Sequence, residues 1–332
     1  MTVTRVHITV DTEFSIAGAF QDPKKHRPVG PPAVYCPLNG TSGGLGFLFG
    51  TLAREGIRAT FFVEALNTCY FGDEPMGGIA REIQAAGHDV QLHLHPCWTY
   101  FEREDWSQTL QTDPPNDDIT LRPVEEVSRL IRLGQEVFRR WGVPEPRVLR
   151  TGGLRVGRTV YEAMQRCGMP IASNVGLAIY RPAEPELRLY SGCHDVSGVC
   201  EFPVTTYSDL QWSGRKHLKT LTITGTSWPE LRILLQRARA LQVSDVVVLT
   251  HPFEYVKHRD ITYEDLYPDR INRRRLESLC AFLANEPDFE AACMSTLGDA
   301  AVPQEDRLLD VPPWHAAGRM LVNRINHAVL RL

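Results

Sequence analysis

Two histidines, His93 and His95, stand on either side of a leucine in the stretch VQLHLHPCW (90–98). Residues two apart in a β-strand point to the same face, so the two imidazoles can be aimed at one point. Two carboxylates with the same spacing, Asp11 and Glu13, follow the strand-like run RVHITV. Two imidazoles and a carboxylate suit a first-row divalent ion, most simply zinc with an open position for water. Such an ion makes a bound water acidic enough to act as hydroxide near neutral pH.

Three other strand-like segments also end in, or carry, an ionisable residue: RVLRTGG has Arg150, VCEFPVT has Glu201, and DVVVLTHPFE has His251. A carboxylate that does not bind the metal can accept a proton from water, and an arginine beside it keeps it ionised. A histidine from a distant strand is then available as the general acid. Each residue alone has an ordinary structural explanation as a core histidine, loop anchor or surface charge. Their occurrence together at strand ends favours a functional site over five unrelated structural roles.

The second imidazole position has a competitor in Cys97. This cysteine shares the strand parity of His93 and His95, but Pro96 stands before it and should break the strand. His7, His88, His194, His217 and His258 lack comparable surroundings, and we interpret them as structural. The residue types therefore leave either His95 or Cys97 as the partner of His93.

The elements that must position these residues alternate along the chain. Patterning predicts strands at 5–10, 58–65, 88–95, 147–150, 170–174, 245–250 and 289–295, and helices at 46–56, 79–87, 123–141, 157–167, 229–242 and 270–285. Strands separated by helices imply parallel βαβ units. About seven such units predict a closed or nearly closed α/β barrel, in which the chemistry lies at the C-terminal ends of the strands.

The barrel is predicted to be one domain over 1–300, with insertions at 98–121 and 176–227, followed by a C-terminal extension over 301–332. The extension ends in an amphipathic helix in which Leu321, Ile325 and Val329 are four apart, with Arg319 and Arg324 off that line. Docking of this helix onto the barrel is the first hypothesis. The second is attachment to a membrane surface, near a lipid-linked substrate.

Composition excludes several classes of protein. The chain has 332 residues, 43% hydrophobic and 23% charged, which is typical of a globular protein. A formal net charge of -4 gives no reason to expect a nucleic-acid partner. The eight cysteines are scattered, which indicates reduced thiols rather than a disulfide framework. The opening residues do not resemble a signal peptide and no apolar run could span a bilayer, so the expected compartment is the cytoplasm.

The motifs HITVDTE, GHDVQLHLHP, RTGG and VVLTHP, in this order, resemble the polysaccharide deacetylase superfamily, the NodB-homology domain of carbohydrate esterase family 4. The resemblance spans about residues 5–295 and is closest to the WalW-like branch, linked to bacterial surface-polysaccharide assembly. It implies a distorted (β/α)7 barrel and metal-dependent removal of an N-acetyl group from an amino sugar. The implied substrate is an N-acylated sugar or glycan, either free or lipid-linked.

The resemblance also implies roles for the first two motifs. Asp11 matches the catalytic base, Glu13 the metal-binding acid, and His93 the first metal histidine. The family's second histidine falls four residues later, where this chain has Cys97. Either His95 substitutes for it or the metal set is altered.

The remaining motifs imply the rest of the site. Arg150 matches the arginine that orients the base, although the proline and tyrosine that usually follow are replaced by TGGL. Main-chain N–H groups of Gly152 and Gly153 would form an oxyanion hole, since glycine lets the backbone approach closely. His251 matches the general acid, and Glu201 lies where the family has an acid that tunes it.

Two alternative functions stay open on the sequence. The same site could hydrolyse a non-carbohydrate amide. The insertions carry Trp98, Tyr100, Trp106 and Trp212, and aromatic faces suit sugar rings, although aromatics also pack long loops. The altered spacing at Cys97 motivates a second alternative, a glycan-binding pseudoenzyme without turnover.

Overall fold

The structure, a computed structural model, describes residues 3–212, 214–297 and 304–328. Its strands are β1 (Thr4–Thr12), β2 (Pro37–Leu38), β3 (Thr41–Ser42), β4 (Thr60–Glu64), β5 (Asp89–Leu94), β6 (Val148–Thr151), β7 (Ile171–Ala172), β8 (His194–Val196), β9 (Val199–Glu201), β10 (Thr206–Trp212), β11 (Arg215–Thr220), β12 (Asp245–Thr250), β13 (Val256–His258), β14 (Leu266–Pro268), β15 (Phe289–Ala291) and β16 (Leu309–Asp310). Its α-helices are α1 (Pro32–Tyr35), α2 (Leu45–Arg54), α3 (Thr68–Phe71), α4 (Asp73–Ala85), α5 (Trp106–Thr109), α6 (Val124–Trp141), α7 (Arg158–Arg166), α8 (Trp228–Ala240), α9 (Arg270–Asn285) and α10 (Pro313–Ala328).

The main sheet is a curled parallel sheet with the strand order β12-β1-β4-β5-β6-β7-β9-β8, in which only the last pair is antiparallel. Just beyond β9, Val204 forms a parallel bridge with Val247 of β12, and Thr222 forms another with Leu249. These bridges bring the two ends of the sheet together. The result is a distorted barrel.

The strands are buried on both faces, as parallel strands covered by helices must be. Every residue of β4, β5 and β12 is buried. Helix α6 shows how the covering layer forms: its buried side chains recur at helical spacing, it begins after Pro123, and it ends at Gly142 in the left-handed conformation. Within the barrel, these covered strands hold their C-terminal ends at one rim.

The two predicted insertions differ in whether they contribute a strand to the main sheet. Segment 98–121 forms a 3₁₀ turn over Pro96–Glu102, the single-turn α5 and a second 3₁₀ turn over Ile119–Leu121. Segment 176–227 is less separate than its sequence suggests, because it supplies β9, which pairs with β7 in the main sheet. The remainder of that segment includes the β10–β11 hairpin at the side of the barrel.

Helix α10 packs against β10 and α8, but not through the predicted apolar line. Leu321 is 61% exposed, whereas Arg319, placed off that line, is 7% exposed. The Arg319 guanidinium pairs with the buried carboxylates of Asp209 and Glu230. The side chain of Ile325 and the whole of Val329 lie outside the described residues. Helix α10 thus docks through a buried ionic cluster around Arg319, and Leu321, the one residue of the apolar line whose side chain is described, faces outward.

Two expectations drawn from composition can be compared with the fold. The eight cysteines are all free thiols. Among the described residues, no helix has both the length and the apolar character needed to cross a membrane.

Candidate active site

A buried ion pair joins the ends of β1 and β6. One Nη of Arg150 donates to Asp11 Oδ1 and to Thr9 Oγ1, each at 2.8 Å. Its Nε and other Nη donate to the carbonyl and hydroxyl of Ser173, at 3.0 and 2.7 Å. The guanidinium also lies 4.0 Å from the ring centre of Phe62. Arg150 is therefore fixed in orientation and holds the Asp11 carboxylate at the rim of the barrel.

Glu13, His93 and His95 come together beside this pair. Glu13 Oε2 lies 3.6 Å from His93 Nε2 and 2.8 Å from His95 Nε2. His93 belongs to β5, and the extended backbone continues through His95 before Pro96 begins the 3₁₀ turn, so both imidazoles lie on one face. Their donor atoms and that of Glu13 all lie within 4.8 Å of one another. The predicted two-residue spacing thus produces a three-donor cluster.

The carboxylates and imidazoles of this cluster stabilise each other's charged forms. Burial raises the pKa of the Glu13 carboxyl, but the two imidazoles outweigh burial and hold the pKa well below its usual range. Burial lowers the pKa of His95, but Glu13 and Asp117 outweigh it and raise the pKa well above its usual value. The cluster therefore keeps an ionised carboxylate next to two imidazoles.

Cys97 lies with a different group of residues. It is near His95 and Asp117, and its thiol is not part of the cluster with Glu13 and His93. Burial raises the pKa of the Cys97 thiol above its usual value. The uncharged thiol is a poor metal ligand, because metals bind the thiolate. Geometry thus places His95, rather than Cys97, with His93.

Gly152 closes the other side of His95. A Cβ atom on Gly152 would lie 2.4 Å from His95 Nδ1, so only glycine lets the backbone pass this close to the ring. Gly153 follows with a φ of 58°. The main chain predicted to form an oxyanion hole is therefore directly beside a candidate metal ligand.

His251 follows β12 at the same rim of the barrel. Its Nδ1 lies 3.1 Å from Glu254 Oε1, and Glu254 Oε2 accepts a hydrogen bond of 2.7 Å from Thr250. Burial lowers the pKa of His251, but Glu254, with smaller contributions from Asp11 and Glu13, raises it to about 9. Because Glu254 occupies Nδ1, Nε2 is the ring nitrogen available for proton transfer.

One predicted site residue, Glu201, lies away from the position expected for it. Glu201 does not take the position beside His251: its Oε2 accepts from the Tyr161 hydroxyl, and its Oε1 accepts from the main-chain N–H groups of Asn174 and Val175. The acid that contacts His251 is Glu254, brought close by the 3₁₀ turn that starts at Pro252. The glutamate that contacts His251 and raises its pKa is therefore Glu254 rather than Glu201.

The aromatic residues of the first insertion form packing rather than an open platform. Trp98 is 1% exposed and contacts the rings of Phe71 and Phe101. Of the two interpretations left open for Trp98, the structure favours loop packing over a sugar contact, because the ring is enclosed in the core. Trp106 packs on Phe101 in the same way. The side chain of Trp212 lies outside the described residues.

The sequence interpretation missed three acids around the site. Glu254 could have been found, because the first and fourth residues of a 3₁₀ turn lie on the same side. Glu64 ends β4 and accepts hydrogen bonds from the main-chain N–H groups of Leu66, Asn67 and His95. Burial raises the pKa of Glu64 to about 8. Asp117 reaches His95 from a loop, and no local pattern signals that contact.

Comparison with known proteins gives no match among protein-family models and none among curated proteins. Among solved structures, a protein from Mycobacterium smegmatis assigned as a polysaccharide deacetylase aligns with a TM-score of 0.54 and 14% identity, over 93% of this chain and 96% of that one. The chain has the polysaccharide-deacetylase fold. The distorted (β/α)7 barrel predicted from the sequence is confirmed.

Other structures align less closely. A family 4 carbohydrate esterase from Streptomyces lividans, in complex with acetate, gives a TM-score of 0.45 and 12% identity, over 92% of this chain and all of that one. A 4-α-glucanotransferase from Thermococcus litoralis gives 0.47 and 9%, over 89% of this chain and 40% of that one. Because one fold can carry different reactions, the function must be argued from the site.

The deacetylase fold raises the question of a metal, and the donor set fits one. Two imidazole nitrogens and one carboxylate oxygen suit zinc or a similar divalent ion. His93 Nδ1 donates to the main-chain carbonyl of Arg150 at 2.9 Å, so Nε2, which faces Glu13, is the nitrogen that would bind the ion. Glu13, His93 and His95 are thus the residues that would hold the ion.

Proposed function

We propose that this chain is a metal-dependent hydrolase that removes an N-acyl group, most simply acetyl, from an amino sugar or glycan. The observation that carries the proposal is the meeting of three units at one rim of a deacetylase-type barrel. These units are the donor cluster of Glu13, His93 and His95, the Asp11–Arg150 pair, and the His251–Glu254 pair. Together they supply a metal site, a base and an acid.

Each unit has a role that follows from its contacts. Asp11, held in place by a hydrogen bond from Arg150, accepts the proton of the attacking water. His251, protonated at neutral pH because of Glu254, delivers a proton from Nε2 to the leaving amine. The main-chain N–H groups of Gly152 and Gly153 bind the developing oxyanion. The reaction then splits the amide C–N bond and gives a carboxylic acid and a free amine.

The ion held by Glu13, His93 and His95 would supply Lewis acidity, which polarises the acyl carbonyl and makes water a better nucleophile. Zinc is the first choice because two imidazoles with one carboxylate are a common zinc ligand set. Orientation of the base and the acid remains the work of Arg150 and Glu254.

The test is acetate release from N-acetylated sugars and oligosaccharides by the unsubstituted protein and by Asp11→Asn. Loss of the general base should lower kcat by about 10²- to 10⁴-fold while the bound metal stays unchanged. Asp113→Asn, which alters an exposed carboxylate paired with Arg103, is the matched control and should keep full activity. Normal turnover by Asp11→Asn would refute the assigned base.

The same experiment separates the two alternatives. Release of acid from small non-carbohydrate amides, without release from sugars, would favour an amidohydrolase on this scaffold. Binding of glycans without release of acetate from any substrate would favour a pseudoenzyme.

We further propose that the protein belongs to the WalW-like branch and acts in the cytoplasm on a substrate for cell-surface polysaccharide assembly. Helix α10 supports contact with a membrane surface, because it exposes Trp314, Met320, Leu321 and Val322. Co-sedimentation with vesicles containing anionic lipid tests this contact. Leu321→Glu should abolish the binding, and equal binding by this variant would contradict it.

A further inference from the structure

The two candidate metal histidines are oriented by different parts of the chain. His93 Nδ1 is bound by the main-chain carbonyl of Arg150 at 2.9 Å, inside the sheet. His95 Nδ1 instead lies 2.6 Å from Oδ2 of Asp117, a residue of the 98–121 insertion. One ligand is therefore set by the barrel and the other by a loop side chain.

Asp117 is itself held in place at both oxygens. Its Oδ1 accepts a hydrogen bond of 3.1 Å from the main-chain N–H of Cys97, while Oδ2 contacts His95. The next residue, Asp118, anchors the loop by accepting from Arg155 at 2.6 Å and from Thr120 at 2.6 Å. Asp117 is thus positioned by the loop and by the start of the 3₁₀ turn.

These contacts fix the chemistry of the His95 ring. A carboxylate at Nδ1 holds a proton on that nitrogen, which leaves Nε2 as the ligating atom. Nε2 is the nitrogen that faces Glu13, at 2.8 Å. On its other side the ring is packed against Gly152. Asp117 and Gly152 therefore hold the ring in the orientation that directs Nε2 at Glu13.

Asp117, His95 and Cys97 also bring three possible metal donors together. Asp117 Oδ2, however, contacts His95 at Nδ1, whereas Glu13 Oε2 contacts it at Nε2, on the other side of the ring. The 2.6 Å between His95 Nδ1 and Asp117 Oδ2 is a hydrogen-bond distance. The geometry is that of a carboxylate supporting a histidine ligand.

We propose that Asp117 is a positioning residue that makes His95 competent as the second metal imidazole, in place of a ligand four residues after His93. The 98–121 insertion is then part of the metal site rather than a surface decoration. This inference rests on the proposed metal site, but not on which amide is hydrolysed.

The test measures metal affinity, by competition of the full-length protein with a chelator for Zn²⁺, without reference to turnover. Asp117→Ala should weaken Zn²⁺ binding by about 10- to 100-fold, the usual effect of losing such a partner. Asp117→Asn should fall between Ala and the unsubstituted protein, because its amide oxygen can still accept from Nδ1. Asp113→Asn, which alters an exposed carboxylate of the same insertion that pairs with Arg103 and does not contact His95, should keep the original affinity.

A second readout separates orientation from stability. The visible spectrum of bound Co²⁺ should change in Asp117→Ala, because the His95 ring turns relative to the ion. Thermal unfolding in the presence of a chelator checks that each variant is folded. Unchanged Zn²⁺ affinity and Co²⁺ spectrum in both Asp117 variants would overturn the inference, as would absence of metal binding by the unsubstituted protein. Metal binding that depends on Asp117, without release of acetate, would instead defeat the proposed function alone.

Discussion

Replacing Arg150 by methionine tests whether the Asp11–Arg150 pair organises the candidate active site. Methionine keeps the apolar stem of the side chain but removes every donor. Asp11 would then stay at the rim as a carboxylate without its partner, and the Ser173 carbonyl and hydroxyl would lose the guanidinium. The effect should appear in stability as well as in activity.

The magnitude follows from burial. The side chain of Arg150 is 0% exposed and that of Asp11 is 6% exposed, so water does not screen the pair. Removing one partner of a buried ion pair costs about 3–5 kcal/mol. Asp11→Asn should cost less, about 1–3 kcal/mol, because the amide oxygen still accepts a hydrogen bond from Arg150. The double variant should cost less than the sum, with a coupling energy of about 1.5–3 kcal/mol.

The assay is urea unfolding of the two single variants and the double variant at pH 7. With a slope of about 3 kcal/mol per molar urea, Arg150→Met should lower the midpoint by about 1 M or more. Arg129→Met, which alters an exposed arginine on α6, is the control and should change stability by no more than about 0.5 kcal/mol. Additive effects of the Asp11 and Arg150 changes, within about 0.5 kcal/mol, would refute the coupling.

Three further changes probe other parts of the molecule. Glu254 raises the pKa of His251 to about 9, whereas burial lowers it. Removing the charge in Glu254→Gln should therefore lower this pKa and move the alkaline limb of the kcat/KM profile to lower pH by about one unit or more. An alkaline limb at the original pH would exclude His251 as the general acid. Gly152→Ala places a methyl group 2.4 Å from His95 Nδ1 and should weaken Zn²⁺ binding in a chelator competition, so full affinity would mean that the ring is free to move. Arg319→Met removes the guanidinium from Asp209, which keeps His217, and from Glu230, which keeps Ser227. It should cost about 1–3 kcal/mol in urea unfolding and speed proteolysis within α10, whereas unchanged cleavage would show that other contacts hold the helix.

The elements that the sequence predicted are those with a clear local hydrophobic pattern. The ends of five strands were predicted to within about two residues, because the pattern of a strand or a helix depends only on a few neighbouring positions. These strands are β1, β4, β5, β6 and β12. The same two-residue period placed His93 with His95 and Asp11 with Glu13. Parallel connection of the strands then put all these residues at one rim.

The partners of these residues depended on contacts between distant segments. Arg150 stands in register with His93 because β6 pairs with β5, and this pairing is a property of the assembled sheet. Asp117 contacts His95 from 22 positions further along the chain, and Arg319 docks α10 through acids about 90 and 110 positions away. Side-chain type and spacing therefore determined the candidate ligands, base and acid. Which carboxylate supports each histidine was decided only by the tertiary structure, because hydrogen bonds between such segments exist only once the barrel has closed.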